Sequence, residues 1–173
     1  VPVGIGCAVF LAELVNPRIA RIIKSGIDLL AGIPSVIYGL YGLTVIVPFI
    51  RKVFNNQGFS VLAGSIVLAI MILPTIINVS ESAIRSVPKD YREASLSLGS
   101  SHWQSIINVI VPAARSGIIA GVILGMGRAI GETMAVIMIA GNSPLVPKSI
   151  LSSVRSLTGH VGRVMDYDWG KQQ

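Results

Sequence analysis

Arg128 and Glu132 stand four residues apart in GRAIGETMAV, residues 127–136, a stretch otherwise made mostly of apolar and small residues. On a helix this spacing puts both side chains on one face. An arginine within hydrocarbon is costly unless it lines a protein interior, pairs with an acid or meets an anion. Its guanidinium offers planar, paired donors that match the oxygens of a carboxylate or a phosphate. Arg128 lies about twelve residues into its apolar segment, roughly 18 Å along a helix rising ~1.5 Å per residue, near the middle of a bilayer. Two readings fit. The pair either locks two helices together, or Arg128 contacts a passing anion while Glu132 neutralises it between passages. The second describes a path for a polar solute through a membrane. Thr133 adds a hydroxyl donor beside the pair, and Ser35, Tyr38 and Tyr41 could add others, although the two tyrosines fit packing equally well.

The elements that must position these groups are apolar helices. Of the 173 residues, 52% are hydrophobic and 13% charged, and mean hydropathy is +0.73. The charged fraction is about half that of an ordinary soluble domain. Residues 29–50 and 59–80 carry no charge, and each run exceeds the ~20 residues a helix needs to cross hydrocarbon. With 1–14 and 118–140 they make four apolar segments, and the expected fold is an all-α, polytopic transmembrane bundle. The single cysteine, Cys7, and two isolated histidines, His102 and His160, exclude a disulfide framework and give no metal-ligand pattern. No catalytic residue, metal or other cofactor is expected, and no paired nucleophile and base is visible. The net charge of +6 points to the lipid membrane rather than nucleic acid, because the basic residues flank apolar segments.

Basic residues place the 15–28 and 81–115 loops in the cytoplasm and the 51–58 turn and the tail from 142 outside. Arg51, Lys52, Lys148, Arg155 and Arg163 oppose that orientation. Pro34, Pro48 and Pro74 are expected to break the spans, with Gly32, Gly39, Gly42 and Gly64 allowing close helix contact or a moving element. Glu13 is expected to be a boundary residue where the first segment meets the cytoplasm, with pairing to Arg18 or Arg21 as the alternative. The chain starts without Met and reads as a fragment, 1–173, of a single transmembrane domain lacking helices at both ends.

Residues 81–112 are too charged to cross lipid. Pro88 suits a helix start, Tyr91, Ala94 and Leu98 share a face, and Gly99 suits a C-cap. Ser101 and Gln104 have capping-box spacing, followed by an apolar stripe of Trp103, Ile106, Ile107 and Ile110 that Pro112 ends. Interfacial helices and a cytoplasmic docking surface fit equally. In the tail, Ile150, Val154, Leu157 and Val161 recur at helical spacing, Tyr167 and Trp169 suit a membrane rim, and Asn142 and Ser143 fit either a turn or an outer mouth.

Within that loop, Glu93-Ala94-Ser95, Gly99, and Val109, Val111 and Pro112 resemble the EAA signature of bacterial ABC importer permeases, which has Glu-Ala-Ala, a glycine four positions on, and an Ile-x-Leu-Pro ending. Ser95, Val109 and Val111 depart from it by small or apolar swaps. LLAGIPSVIYGLYGL (29–43), GRAIGETMAVIMIAGNSP (127–144) and SVRSLTGH (153–160) resemble segments of the phosphate-importing, PstC-like branch of that family. The resemblance implies the MetI-like permease fold and a multi-pass protein of the bacterial inner membrane. It implies a subunit that forms a path for inorganic phosphate through Arg128, Glu132 and Thr133. Residues 81–112 would be its coupling loop, seating Glu93, Ala94, Gly99 and Pro112 on an ABC ATPase subunit dimer. A PstA-like permease subunit and an extracytoplasmic phosphate-binding protein would complete the assembly. With no Walker sequence, ATP hydrolysis would belong to the partner. A permease for another small oxyanion, a secondary transporter or channel component, and a non-transporting scaffold are the alternatives.

Overall fold

The computed structural model describes residues 1–144 and 146–170, with side chains given except at 163 and 165–170. The expected rim positions of Tyr167 and Trp169 and the side chain of Arg163 therefore lie outside the described residues. The fold is all-α. Among the described residues no strand occurs, only an isolated bridge between Gly141 and Val154. The helices are α1 (Pro2–Leu14), α2 (Pro17–Gly32), α3 (Ser35–Phe54), α4 (Val61–Arg85), α5 (Lys89–Ser97), α6 (His102–Ala113), α7 (Arg115–Gly131), α8 (Met134–Ile139) and α9 (Leu157–Gly170).

Helices α3 and α4 are long and apolar enough to cross a bilayer, and α6 with α7 forms a further apolar pair bent by 66°. The spans differ from the expected ones at their ends. The second begins at Ser35, because Pro34 separates it from α2, and it runs on through Arg51 and Lys52. The third continues through Glu81 to Arg85 rather than ending at Ser80. Pro48 and Pro74 do not break their helices. Pro48 follows a widened π turn at Gly42–Ile46, and Pro112 follows another at Ile106–Ile110. A proline lacks the N–H for an i−4 bond and crowds that carbonyl, so widening the preceding turn accommodates it. Pro112 accordingly lies inside α6, and the chain bends at Ala114 instead.

The chain resolves into two compact units. The first comprises residues 1–32 and 72–127. Its core joins Ala8, Ile84, Ile106, Ile110, Ala114 and Ile118, with a second cluster of Leu11, Ala20, Ile27 and Ile77. Small residues on α7 let it lie against α4. A Cβ on Gly117 would come within 2.4 Å of Ala83 Cβ, and one on Gly125 within 2.7 Å of Ile76 Cγ1. This small-residue seam permits backbone approach where burial alone gives helices no preference for one another over lipid. Ile106 and Ile110 of the expected α6 stripe are buried, whereas Trp103 and Ile107 are exposed.

The second unit comprises residues 33–71 and 128–173. Tyr38, Val47, Ile50, Ala63, Val67, Met71, Ala135 and Ile139 form its core. Helix α8 packs on α3 at Gly39 and Gly42, where added Cβ atoms would meet Ala135 Cα at 3.0 Å and Ile139 Cδ1 at 2.5 Å. Of the four tail positions expected at helical spacing, Leu157 and Val161 are helical. Ile150 lies in a turn and Val154 in the bridge to Gly141.

Candidate functional site

The apolar segment 118–140 is not one helix. α7 stops at Gly131, Glu132 and Thr133 are non-helical, and α8 starts at Met134. The expected side-by-side turn of Arg128 and Glu132 is thus not completed. Glycine is a poor helix former, and the Glu132 side chain finds a local alternative. Its Oε1 accepts the Ala135 N–H at 3.0 Å, satisfying one of the orphan donors at the start of α8. The Glu132 carbonyl accepts the Thr158 hydroxyl at 3.0 Å, and Thr133 Oγ1 donates to the Gly131 carbonyl at 3.4 Å. Arg128 is half-buried in the last turn of α7, where a cation suits the carbonyl end of the helix dipole.

A groove of about 370 Å³ opens beside this break. Glu132, Ser65, Ser156 and Thr158 supply polar groups on otherwise apolar walls that include Leu68, Ile130 and Val136. Irregular backbone in an apolar segment is tolerated where protein buries it or where it lines a cavity. Asn142 adopts a left-handed turn (φ 57°), its amide donates to the Ile137 carbonyl at 3.0 Å, and its own carbonyl accepts from Arg155. The turn reading of that residue holds.

The loop signature takes shape in the first unit. Pro88 is the N-cap of α5. The C-terminus closes as a Schellman motif: Gly99 N–H donates to the Leu96 carbonyl at 3.0 Å, Ser100 N–H to the Ser95 carbonyl at 3.3 Å, and Gly99 has φ +85°. The capping box is complete, with Gln104 N–H on Ser101 Oγ and Ser101 N–H on Gln104 Oε1. Helix α5 buries Ser95 and half-buries Arg92, turning Tyr91, Glu93, Ala94, Leu96 and Leu98 outward, with Leu98 88% exposed. Tyr91, Ala94 and Leu98 therefore share an open face. Gly99 and Pro112 are exposed as well.

Two buried carboxylates matter more than the sequence suggests: Glu13 reads there as a boundary residue, and Glu81 draws no attention. The Glu81 side chain is 3% exposed and accepts from Lys24 Nζ of α2 and Arg85 Nε of α4. Arg85 Nη2 also donates to the Leu11 carbonyl at 3.0 Å, one of the unpartnered carbonyls at the end of α1. Glu13, with its side chain 2% exposed, pairs not with Arg18 or Arg21 but with Arg92 Nη2 at 2.5 and 2.6 Å. Asn78 on Asp28 adds a 2.8 Å bond between α4 and α2. The signal open to sequence reasoning is the position of Glu13 and Glu81 at the ends of apolar runs, where an unpaired carboxylate is costly. Their partners lie too far along the chain to be read from spacing.

Removing Glu81 strands two cations that keep access to water. Glu81→Ala is therefore expected to cost about 1–2 kcal/mol, below the roughly 3–5 kcal/mol for breaking a fully buried pair. The thermal unfolding midpoint of the purified protein checks this, and an unchanged midpoint would show that the cluster contributes nothing to stability.

The family described as the binding-protein-dependent transport system inner membrane component matches residues 2–169. A probable ABC transporter permease protein of Bacillus subtilis, YqgH, is 46% identical over 158 residues, covering 91% of this chain and 51% of its own length. The phosphate transport system permease proteins PstC of Mesorhizobium japonicum and Haemophilus influenzae are 35% and 36% identical, covering 93% and 100% of this chain and 55% and 61% of theirs. The chain spans about half the length of the curated relatives it matches. The apolar helices and these matches describe a multi-pass protein of the bacterial inner membrane with the MetI-like permease fold. The chain belongs to the binding-protein-dependent transport system inner membrane component family.

Proposed function

We propose that this chain is part of a permease subunit of an ATP-driven phosphate importer, and that Arg128, Glu132 and Thr133 contribute to the path of inorganic phosphate. The observation that carries the reading is the break in the apolar segment at Glu132–Thr133, with a half-buried guanidinium one turn before it and a groove beside it. Discontinuous helices near the middle of the bilayer are a recurring way to build ion sites in transporters. The relatives named as phosphate permeases support phosphate over other oxyanions.

In this reading the chain hydrolyses nothing. The exposed face of α5 seats on an ABC ATPase subunit dimer through Glu93 and Ala94, with Gly99 and Pro112 setting the geometry of the loop 81–112. A PstA-like permease subunit completes the path, and an extracytoplasmic phosphate-binding protein delivers the ion. The side bearing α5 faces the cytoplasm. That open apolar and acidic face favours an ATPase-coupled machine over a secondary transporter, which needs no docking helix.

The test is ATP hydrolysis by the complete reconstituted assembly with its binding protein, across phosphate, sulfate and molybdate. Stimulation by phosphate alone is expected. Equal stimulation by sulfate would move the reading to a broader oxyanion permease, and transport without any ATPase would move it to a secondary transporter.

A further inference from the structure

A second polar cavity lies in the first unit, on residues the proposed transport path does not use. Its volume is about 320 Å³, roughly ten times the ~30 Å³ share of one water. Glu13 of α1, Arg85 of α4, and Lys89 and Arg92 of α5 line it, together with Pro88 at the α5 N-cap and Ile84, Val87 and Ile110. Three cations thus face one carboxylate, a net charge of +2. Glu81 and Lys24, which join the cluster from behind through Arg85, cancel each other and leave that net unchanged.

The donors exceed the acceptors within reach. Arg92 spends Nη2 on Glu13, while its Nε is buried and has no acceptor among the described residues. Lys89 is exposed at the rim. The cap of α5 forms no side-chain hydrogen bond, so the first amides of this nine-residue helix also lack a side-chain acceptor at this end. Guanidinium forks, an ammonium and a helix start are the usual components of a site for a phosphate-like oxyanion.

We propose that this cavity binds a tetrahedral oxyanion of the phosphate type, either the free ion or the phosphate of a lipid headgroup, and so ties the start of α5 to the ends of α1 and α4. An anion here accepts from Lys89 at the rim and competes with Glu13 for the Arg92 guanidinium. Occupancy would stiffen the helix whose outer face is exposed for docking. The inference does not depend on Arg128 and goes beyond the transport reading.

The experiment is equilibrium dialysis of radiolabelled inorganic phosphate against the complete permease, held in phosphatidylcholine or phosphatidylglycerol nanodiscs and carrying Arg128→Ala to remove the path contact. Saturable binding, competed by sulfate, is expected. Lys89→Gln should weaken it about fivefold, the upper range for one exposed charge contact. Glu13→Gln should tighten it, because Arg92 loses its internal competitor. These opposite signs separate an anion site from a cluster that only stabilises the fold, which would give no tightening. Equal binding in both lipids identifies the free ion as occupant, and loss only in phosphatidylglycerol identifies the headgroup. Absence of binding in both lipids, or binding indifferent to both variants, overturns the proposal. The transport reading is judged separately by uptake through the unsubstituted assembly, so the two can fail independently.

Discussion

Arg128→Ala is expected to reduce phosphate uptake by the reconstituted assembly by about 30-fold or more, the scale of losing a desolvated charge contact worth ~2 kcal/mol. The complex should still assemble. Alanine is the best helix former, and Arg128 occupies the last turn of α7, so the truncation leaves the helix intact. Arg128→Lys keeps the charge and loses the planar fork, and it should retain part of the uptake while weakening discrimination among oxyanions. Uptake and assembly are measured on the same preparation. Normal uptake by an assembled Arg128→Ala complex would remove this residue from the path and leave it a structural cation at a helix end.

The second large effect is expected at α5. Glu93→Lys reverses a charge on an exposed helix face, so the protein should unfold at an unchanged temperature. Substrate-stimulated ATP hydrolysis should nevertheless fall about tenfold, the equivalent of ~1.4 kcal/mol at the docking face. Gly99→Val tests the same link by another route. A Cβ there meets no neighbour within 4 Å, so the cost comes from φ +85°, about 1–2 kcal/mol for a left-handed residue and more for a β-branched one. It should distort the turn that leads into α6 and reduce coupling, again with the spans intact. Wild-type ATPase affinity and stimulation in both variants would rule out α5 as the docking element.

Apolar runs longer than a bilayer, Gly99 at a helix end and the Ser101/Gln104 box are legible in the residues alone, because each depends on neighbours within a few positions. The second and third expected spans erred at their ends, and the fourth is broken in its interior at Glu132–Thr133. Residues 29–32 are apolar yet close α2, since Pro34 cannot continue that helix, and Glu81 to Arg85 are charged yet helical, since their charges are paired internally. The seam of Gly117, Gly121 and Gly125 is visible as spacing but carries no address. That it meets α4 at Ile76, Val79 and Ala83 is a property of the packed unit.

Hydropathy, charge placement and the signature residues of the loop are properties of the chain, and they determined that it is an all-α membrane protein and where its chemistry-bearing residues stand. Tertiary structure decided which groups meet. Glu13 finds Arg92 79 residues away, and Glu81 finds Lys24 at a separation of 57. It also decided that Glu132 ends one helix and caps the next, and that Tyr91, Ala94 and Leu98 face outward. Local propensities differ by only about 1 kcal/mol per residue, so they cannot choose between a continuous helix and a capped break. A buried carboxylate must find a cation, and which one is in reach is known only once distant helices have packed.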